Sequence, residues 1–210
     1  MAVKRLRERQ AEATRQQLVD VARQLFTERG YAGTSIEDII ERAGVARGAL
    51  YHHFPGKDAL FAAVYQVVQA EVASAVVAAA LTADDPGQAV YTGLSAFLDA
   101  CLDPEFRQIV VLDSVPVLQR RAWEKGSTEP SEHAELDMLH QVLAPLAAAY
   151  LPGLKMEALA HVALGGLYGA ALYIALSPEP ATARAEADTV LNTLIAGLRS
   201  GASPARPPSS

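Results

Sequence analysis

The sequence predicts an all-α fold, on three observations. Apolar residues recur three and four apart in one segment after another. No stretch alternates apolar and polar with the two-residue period of a strand. Glycine or proline punctuates the intervals between the periodic runs. The 210 residues, half of them apolar and a fifth charged, suffice for a sizeable core in one large domain or two small ones.

Residues 1–13 form a basic arm that includes Lys4, Arg5, Arg7 and Arg9. Two readings stand for it: an arm adding phosphate or minor-groove contacts, or a solvated, frayed terminus. It has no apolar central run and so is not read as a secretory signal. From Thr14 to Arg29 the pattern gives a helix with Leu18, Ala22, Leu25 and Phe26 inward, ended by Gly30. A second helix carries Ile36, Ile39 and Ile40 on one face, and Thr34 and Glu37 have the spacing of a capping box at its start. Gly44 suits a left-handed stop after Ala43. A third, short helix turns Leu50 and Phe54 inward and is broken by Pro55-Gly56. Residues 14–60 thus read as one small domain. A long helix from about Lys57 to Leu81 leads into the body, residues 61–200.

In the body, Asp84-Asp85-Pro86-Gly87 marks a turn. Val90, Leu94, Phe97, Leu98 and Cys101 then share a helical face. Asp103-Pro104 starts another helix, which Pro116 is expected to interrupt, and a polar helix carries Trp123. Leu136, Leu139, Leu143 and Leu146 line the next helix, with Pro145 inside it as a source of a kink. An apolar helix follows from Lys155 to Leu176, and a last one from Ala183 to Arg199. Residues 201–210 are Pro/Ser-rich and expected to be disordered.

Two short helices around a glycine turn match the arrangement in which the second helix enters a DNA major groove. Arg47 stands at the start of that helix, able to reach guanine or phosphate. Gly48 and Ala49 let the backbone approach base edges. Tyr51, His52 and His53 offer polar tips for phosphate oxygens, Lys57 opens the next helix beside them, and Thr34 is counted with the DNA-binding residues. The same geometry also occurs as plain packing, with Tyr51, His53 and Phe54 at the edge of a core. His52 fits either reading.

Gly44, Val45, Gly48, Leu50, Tyr51, His53, Phe54 and Lys57 follow the order A-G-V-x-x-G-x-L-Y-x-H-F-x-x-K. With the preceding helix and Gly30-Tyr31, these residues make the first sixty positions resemble the tetracycline-repressor (TetR) family. The resemblance implies a phosphate contact at Ser35, base-facing roles for Arg47, Gly48 and Ala49, and a backbone clamp of Tyr51, His53 and Lys57. It also implies a repressor that a small molecule releases from DNA, with the last two helices pairing with their copies in a four-helix bundle. One departure is Ala46, which stands where many members carry a Ser or Thr cap, a loss of roughly 1 kcal/mol.

Self-association has support in the residues too. Ala158–Leu176 is apolar save for His161, which is expected in the core. Its small-residue face invites a second helix, and weak hydrophobicity argues against a membrane span. The expected dimer contacts are Leu164, Gly165, Tyr168, Gly169 and Leu172 on that helix, and Leu191, Leu194, Ile195 and Leu198 on the last. A homodimer would set two heads on an inverted repeat in double-stranded DNA. An effector of unknown identity would meet a pocket drawn from Tyr91, Phe97, Phe106, Asp113, Trp123, His140 and Tyr168. Each has a plainer reading as a core residue or, for Asp113, a helix cap.

Charge agrees with a one-ended polyanion binder. Residues 1–57 hold ten Lys/Arg against seven Asp/Glu, and residues 58–210 hold eight against seventeen. The single Cys101 forms no internal disulfide and has no metal-ligand spacing, which points to a reducing cytoplasm. No nucleophile elbow, phosphate-cradling loop, H-E-x-x-H or Cys/His cluster occurs, so neither an enzyme, a metal site nor a cofactor is expected. The rival readings are a helical protein-interaction module and an activator of the same fold without a small-molecule ligand.

Overall fold

The computed structural model describes residues 2–118, 130–151 and 153–201, without the side chains of 2–4, 130–135 and 199–201. Trp123 and residues 202–210 therefore lie outside the described residues. Every regular element among the described residues is a helix. The chain divides into two compact units, Met1–Ala70 with Pro104–Thr128, and Glu71–Asp103 with Glu129–Ser210.

In the first unit, α1 spans Ala2–Arg29, α2 Ile36–Ala43 and α3 Arg47–His53, and α4 (Lys57–Ala80) begins. α1 starts well before Thr14 because residues 2–13 contain no Gly or Pro and are rich in Arg, Glu, Gln and Ala, all good helix formers. Lys4, Arg5, Arg7 and Arg9 are thus on a helix rather than in an irregular arm. Leu18, Ala22, Leu25 and Phe26 are buried as their spacing predicts, with Ile39, Leu50, Phe54, Leu60, Phe61 and Val64. Phe26, Tyr31 and Phe61 pack as an aromatic trio with centroids 5.2–5.9 Å apart.

A segment from far along the chain completes this unit. α6 opens as an α-turn over Pro104–Phe106, widens to a π-helix over Arg107–Asp113 and returns to α-helix over 114–118. The break expected at Pro116 is absent. The proline is the third residue of the returning α-helical segment, just past the π-helix. Glu105 takes the Arg23 guanidinium at both oxygens, 2.7 and 2.6 Å, and so ties α6 to α1.

The second unit contains the end of α4, then α5 (Pro86–Ala100), α7 (Pro130–Tyr150), α8 (Met156–Leu176) and α9 (Pro180–Gly201). Asp85 caps α5 by accepting from Gln88 N at 2.8 Å, with Pro86 at the first helical position. A Cβ at Gly93 would lie 3.2 Å from the Val76 carbonyl and from Ala80 Cβ, so glycine lets α5 close on α4. The core gathers Val76, Val90, Leu94, Leu139, Leu143, Leu146, Ala160, Leu167 and Ile195. Pro145 does not interrupt α7; it is exposed, as is Gln141, whose carbonyl it deprives of the usual helical N–H.

Polar side chains bind α9 to α5. Arg184 donates to Asp99 Oδ1 at 2.8 Å and Ser95 Oγ at 2.6 Å, and pairs with Asp188 at 3.1 Å. Tyr91 donates to Asp188 Oδ2 at 2.9 Å. This hydrogen bond, then burial, raises the Tyr91 pKa. Cys101 is buried, as read, and burial followed by nearby Asp99 pushes its thiol up to about 12.

Candidate nucleic-acid interface

The head is built by backbone geometry first. Gly44 takes φ 65° and ψ 29°, the left-handed stop expected there. Its N–H and that of Val45 return to Glu41 O and Ile40 O at 3.2 and 3.3 Å, a Schellman closure that turns the chain into α3. Gln17 of α1 caps the same end, donating to Ala43 O at 2.8 Å. At the start of α2 the capping box is real but one residue later than its spacing suggested. Ser35 accepts from Asp38 N at 3.0 Å while Asp38 accepts from Ser35 N at 2.8 Å. The Ser35 hydroxyl, then its N–H, holds the Asp38 carboxyl below the usual range.

Thr34 is consequently neither the cap nor a surface group. It is 1% exposed, and its hydroxyl donates to Leu25 O and Gly30 O at 3.2 and 2.9 Å, stapling the end of α1. Lys57 has a structural place as well. Its ammonium donates to Tyr31 O and Thr34 O, both at 2.7 Å, and sits 4.0 Å from the Tyr31 ring centroid. The same loop is held from α6, where Asp113 accepts from Tyr31 N at 2.7 Å and from Gln108 Nε2 at 3.0 Å. Asp113 is therefore a cap for the α1–α2 turn. A partner 82 residues away leaves no local signature that sequence could have offered.

α3 shows two unlike sides. Leu50 is fully buried and Phe54 nearly so, with the Arg15 guanidinium 5.3 Å from the Phe54 ring centroid. Arg47, Gly48, Tyr51 and His52 are exposed, and Ala49 and His53 partly so. Tyr51 is 47% exposed. Gly48 is informative in another way. A Cβ there would meet nothing within 4 Å, and its φ is not positive, so neither packing nor backbone requires glycine. It weakens the helix by about 1 kcal/mol relative to alanine. Close approach of an outside surface is the remaining physical reason. Ala46 is the N-cap without a side-chain bond, so the missing Ser or Thr is not replaced locally. Glu37 of α2 forms an ion pair with Arg47.

Residues 18–64 match the family model "Bacterial regulatory proteins, tetR family", and residues 87–198 match "Tetracyclin repressor-like, C-terminal domain". Together they cover more than half of the chain. The chain belongs to the TetR family of transcriptional regulators. Among TetR-family relatives, the transcriptional repressor AcnR of Corynebacterium efficiens is 30% identical over 161 residues, 69% of this chain and 84% of AcnR. The regulator AcrR of Shigella flexneri is 40% identical over 63 residues, which span only 29% of AcrR. A TetR-family regulator from Pectobacterium atrosepticum has a crystal structure similar to this one, with a TM-score of 0.76 and 32% identity over 90% of this chain and 95% of that one. The relatives are named as transcriptional regulators, not enzymes.

The expected pocket residues of this TetR-family chain are divided between the two units. Phe106 and Asp113 belong to the first unit, and Phe106 is buried at the start of α6. Tyr91, Phe97, His140 and Tyr168 belong to the second. Tyr91 and Phe97 pack against the second unit's core. His140 Nε2 is enclosed and has no hydrogen-bond partner among the described residues. Among the expected dimer residues, Ile195 is 6% exposed and belongs to its own chain's core, while Leu164 and Leu191 pack against that core. Leu194, Leu198, Gly165 and Gly169 are exposed; Tyr168 and Leu172 are partly so. The outer stripe of α8 also includes Val162, Gly166, Tyr173 and Leu176, and that of α9 Val190. His161 is exposed rather than in the core, its Nδ1 2.7 Å from Glu157 O.

Proposed function

We propose that the protein is a cytoplasmic homodimeric repressor that binds an inverted repeat through α3 and leaves it when a small apolar or amphipathic molecule enters the second unit. The two-sided character of α3 carries the DNA half: a buried Leu50–Phe54 anchor beneath an exposed Arg47, Gly48, Tyr51 and His52. Tyr51 and His53 would take phosphates beside the bases, with Ser35 joining from the α2 cap. AcnR, whose name records a repressor, supports the sign of regulation.

The outer faces of α8 and α9 support the dimer. α8 is long and apolar enough to cross a membrane, yet only 22% of its most apolar stretch is buried within the chain. A second copy would cover that face, and the glycines whose Cβ positions open onto free space would let the helices close up. His140 Nε2 supports the ligand. A buried group left unpaired costs about 1–3 kcal/mol, which a polar atom on an otherwise apolar effector would recover. α4, which begins in one unit and ends in the other, would transmit the change.

Selection of bound fragments from the source genome, followed by salt titration on the enriched duplex, tests the proposal. Affinity should fall steeply with salt, as phosphate neutralisation requires. A chain that ignores every duplex at low ionic strength ends it.

A further inference from the structure

We infer that Glu37, together with Arg47, sets which base pair each half-site must carry, and that this pair reads one G·C pair in one orientation. The inference rests on the reading of α3 as a recognition helix.

The Arg47–Glu37 pair joins the start of α3 to the first turn of α2, and its side chains are 59% and 65% exposed. Four other arginines of this unit are paired or stacked. Arg23 is held by Glu105, Arg42 by Glu28, Arg29 by Asp38, and Arg15 lies on Phe54. Arg47 alone stands on α3 itself, and it arrives accompanied by a carboxylate.

A carboxylate facing a polyanion is repelled unless something in the groove donates to it. The major-groove edge of a G·C pair presents the guanine N7 and O6 acceptors and, beside them, the cytosine amino donor. Guanidinium and carboxylate side by side present the complementary order, donors and then an acceptor. Thymine O4 would set an acceptor against the carboxylate, and a reversed pair would set the cytosine amino group against the guanidinium and guanine N7 against the carboxylate. An exposed ion pair is worth little by itself. Arg47 is therefore oriented by Glu37 without being sequestered, and either side chain can turn to a base at small cost.

The test is selection from random duplexes with the wild-type chain, Glu37→Ala and Glu37→Gln, followed by titration on the wild-type consensus and on that consensus with one G·C pair per half-site changed. The wild-type consensus should hold one invariant G·C pair at the Arg47 position. Changing it should weaken wild-type binding about ten-fold or more per half-site. Both variants should lose most of that discrimination while binding non-cognate duplex more tightly than wild type. Arg47→Ala should abolish the same preference, and adding Glu37→Ala to it should change little further.

An unchanged consensus from both Glu37 variants overturns the inference, as does invariance of an A·T pair at that position. Circular dichroism of each variant excludes a folding defect. Failure of the wild-type chain to select any duplex would instead sink the recognition-helix reading itself.

Discussion

Lys57 shows how a surface-looking residue can be committed before any ligand arrives. Its ammonium rests on two loop carbonyls and an aromatic face, which joins the start of α4 to the α1–α2 turn. Charged hydrogen bonds of this kind contribute about 1.5–3 kcal/mol each when part-buried. Lys57→Ala is expected to lower stability by about 2 kcal/mol in a denaturant titration and to weaken binding to every duplex alike. Because the charge is already engaged, the salt slope of the surviving binding should change by less than one unit. A full unit's loss would place the ammonium on a phosphate. Asp38 gives a pH signature. Its pKa is lowered in the fold by the Ser35 hydroxyl and N–H, so its contribution is complete above the unfolded-state pKa of about 4 and is lost as pH falls through the lower folded value. Wild type should therefore melt above Asp38→Asn at pH 7, and the gap should shrink toward pH 3. A gap that widens on acidification would contradict the cap.

At the scale of elements, α2, the glycine turn and α3 were legible because each is specified by neighbours in sequence: isoleucine spacing, a left-handed glycine, a short apolar anchor. The capping box was misplaced by one residue because Thr34 and Ser35 both offer a hydroxyl, and only burial distinguishes them. The start of α1 was missed because charge suggested an irregular arm where helix propensity prevailed. α6 was beyond sequence reasoning. A π-helix has no local pattern, and Asp113 acts on Tyr31 across most of a hundred residues of chain. That contact yields an element-level prediction. Asp113→Ala strands the Tyr31 N–H and should destabilise the protein by about 1–3 kcal/mol, whereas Asp113→Asn keeps an acceptor and should recover most of it. Equal losses in a thermal melt would mean that the charge, not the hydrogen bond, holds the turn.

For the whole molecule, the decisive contrast lies in two adjacent residues of α9. Ile195 is 6% exposed and packs into its own chain's core; Leu194 is 63% exposed. The helical period put both on one inward stripe and the TetR resemblance assigned that stripe to the dimer, since a stripe read from sequence does not say which neighbour covers it. Ile195→Glu puts a charge into an apolar core and should unfold the second unit. Leu194→Glu changes a side chain that a lone chain leaves in water, where substitutions usually alter stability by less than about 0.5 kcal/mol. Its effect should appear only where two copies meet, as two carboxylates brought into one apolar seam. Sedimentation should then show wild type as a dimer and Leu194→Glu as a folded monomer with undiminished helicity. Affinity for a full inverted repeat should drop to that for a single half-site, because two tethered heads bind far more tightly than one. A Leu194→Glu protein that remains a dimer would move the interface to another face of the second unit.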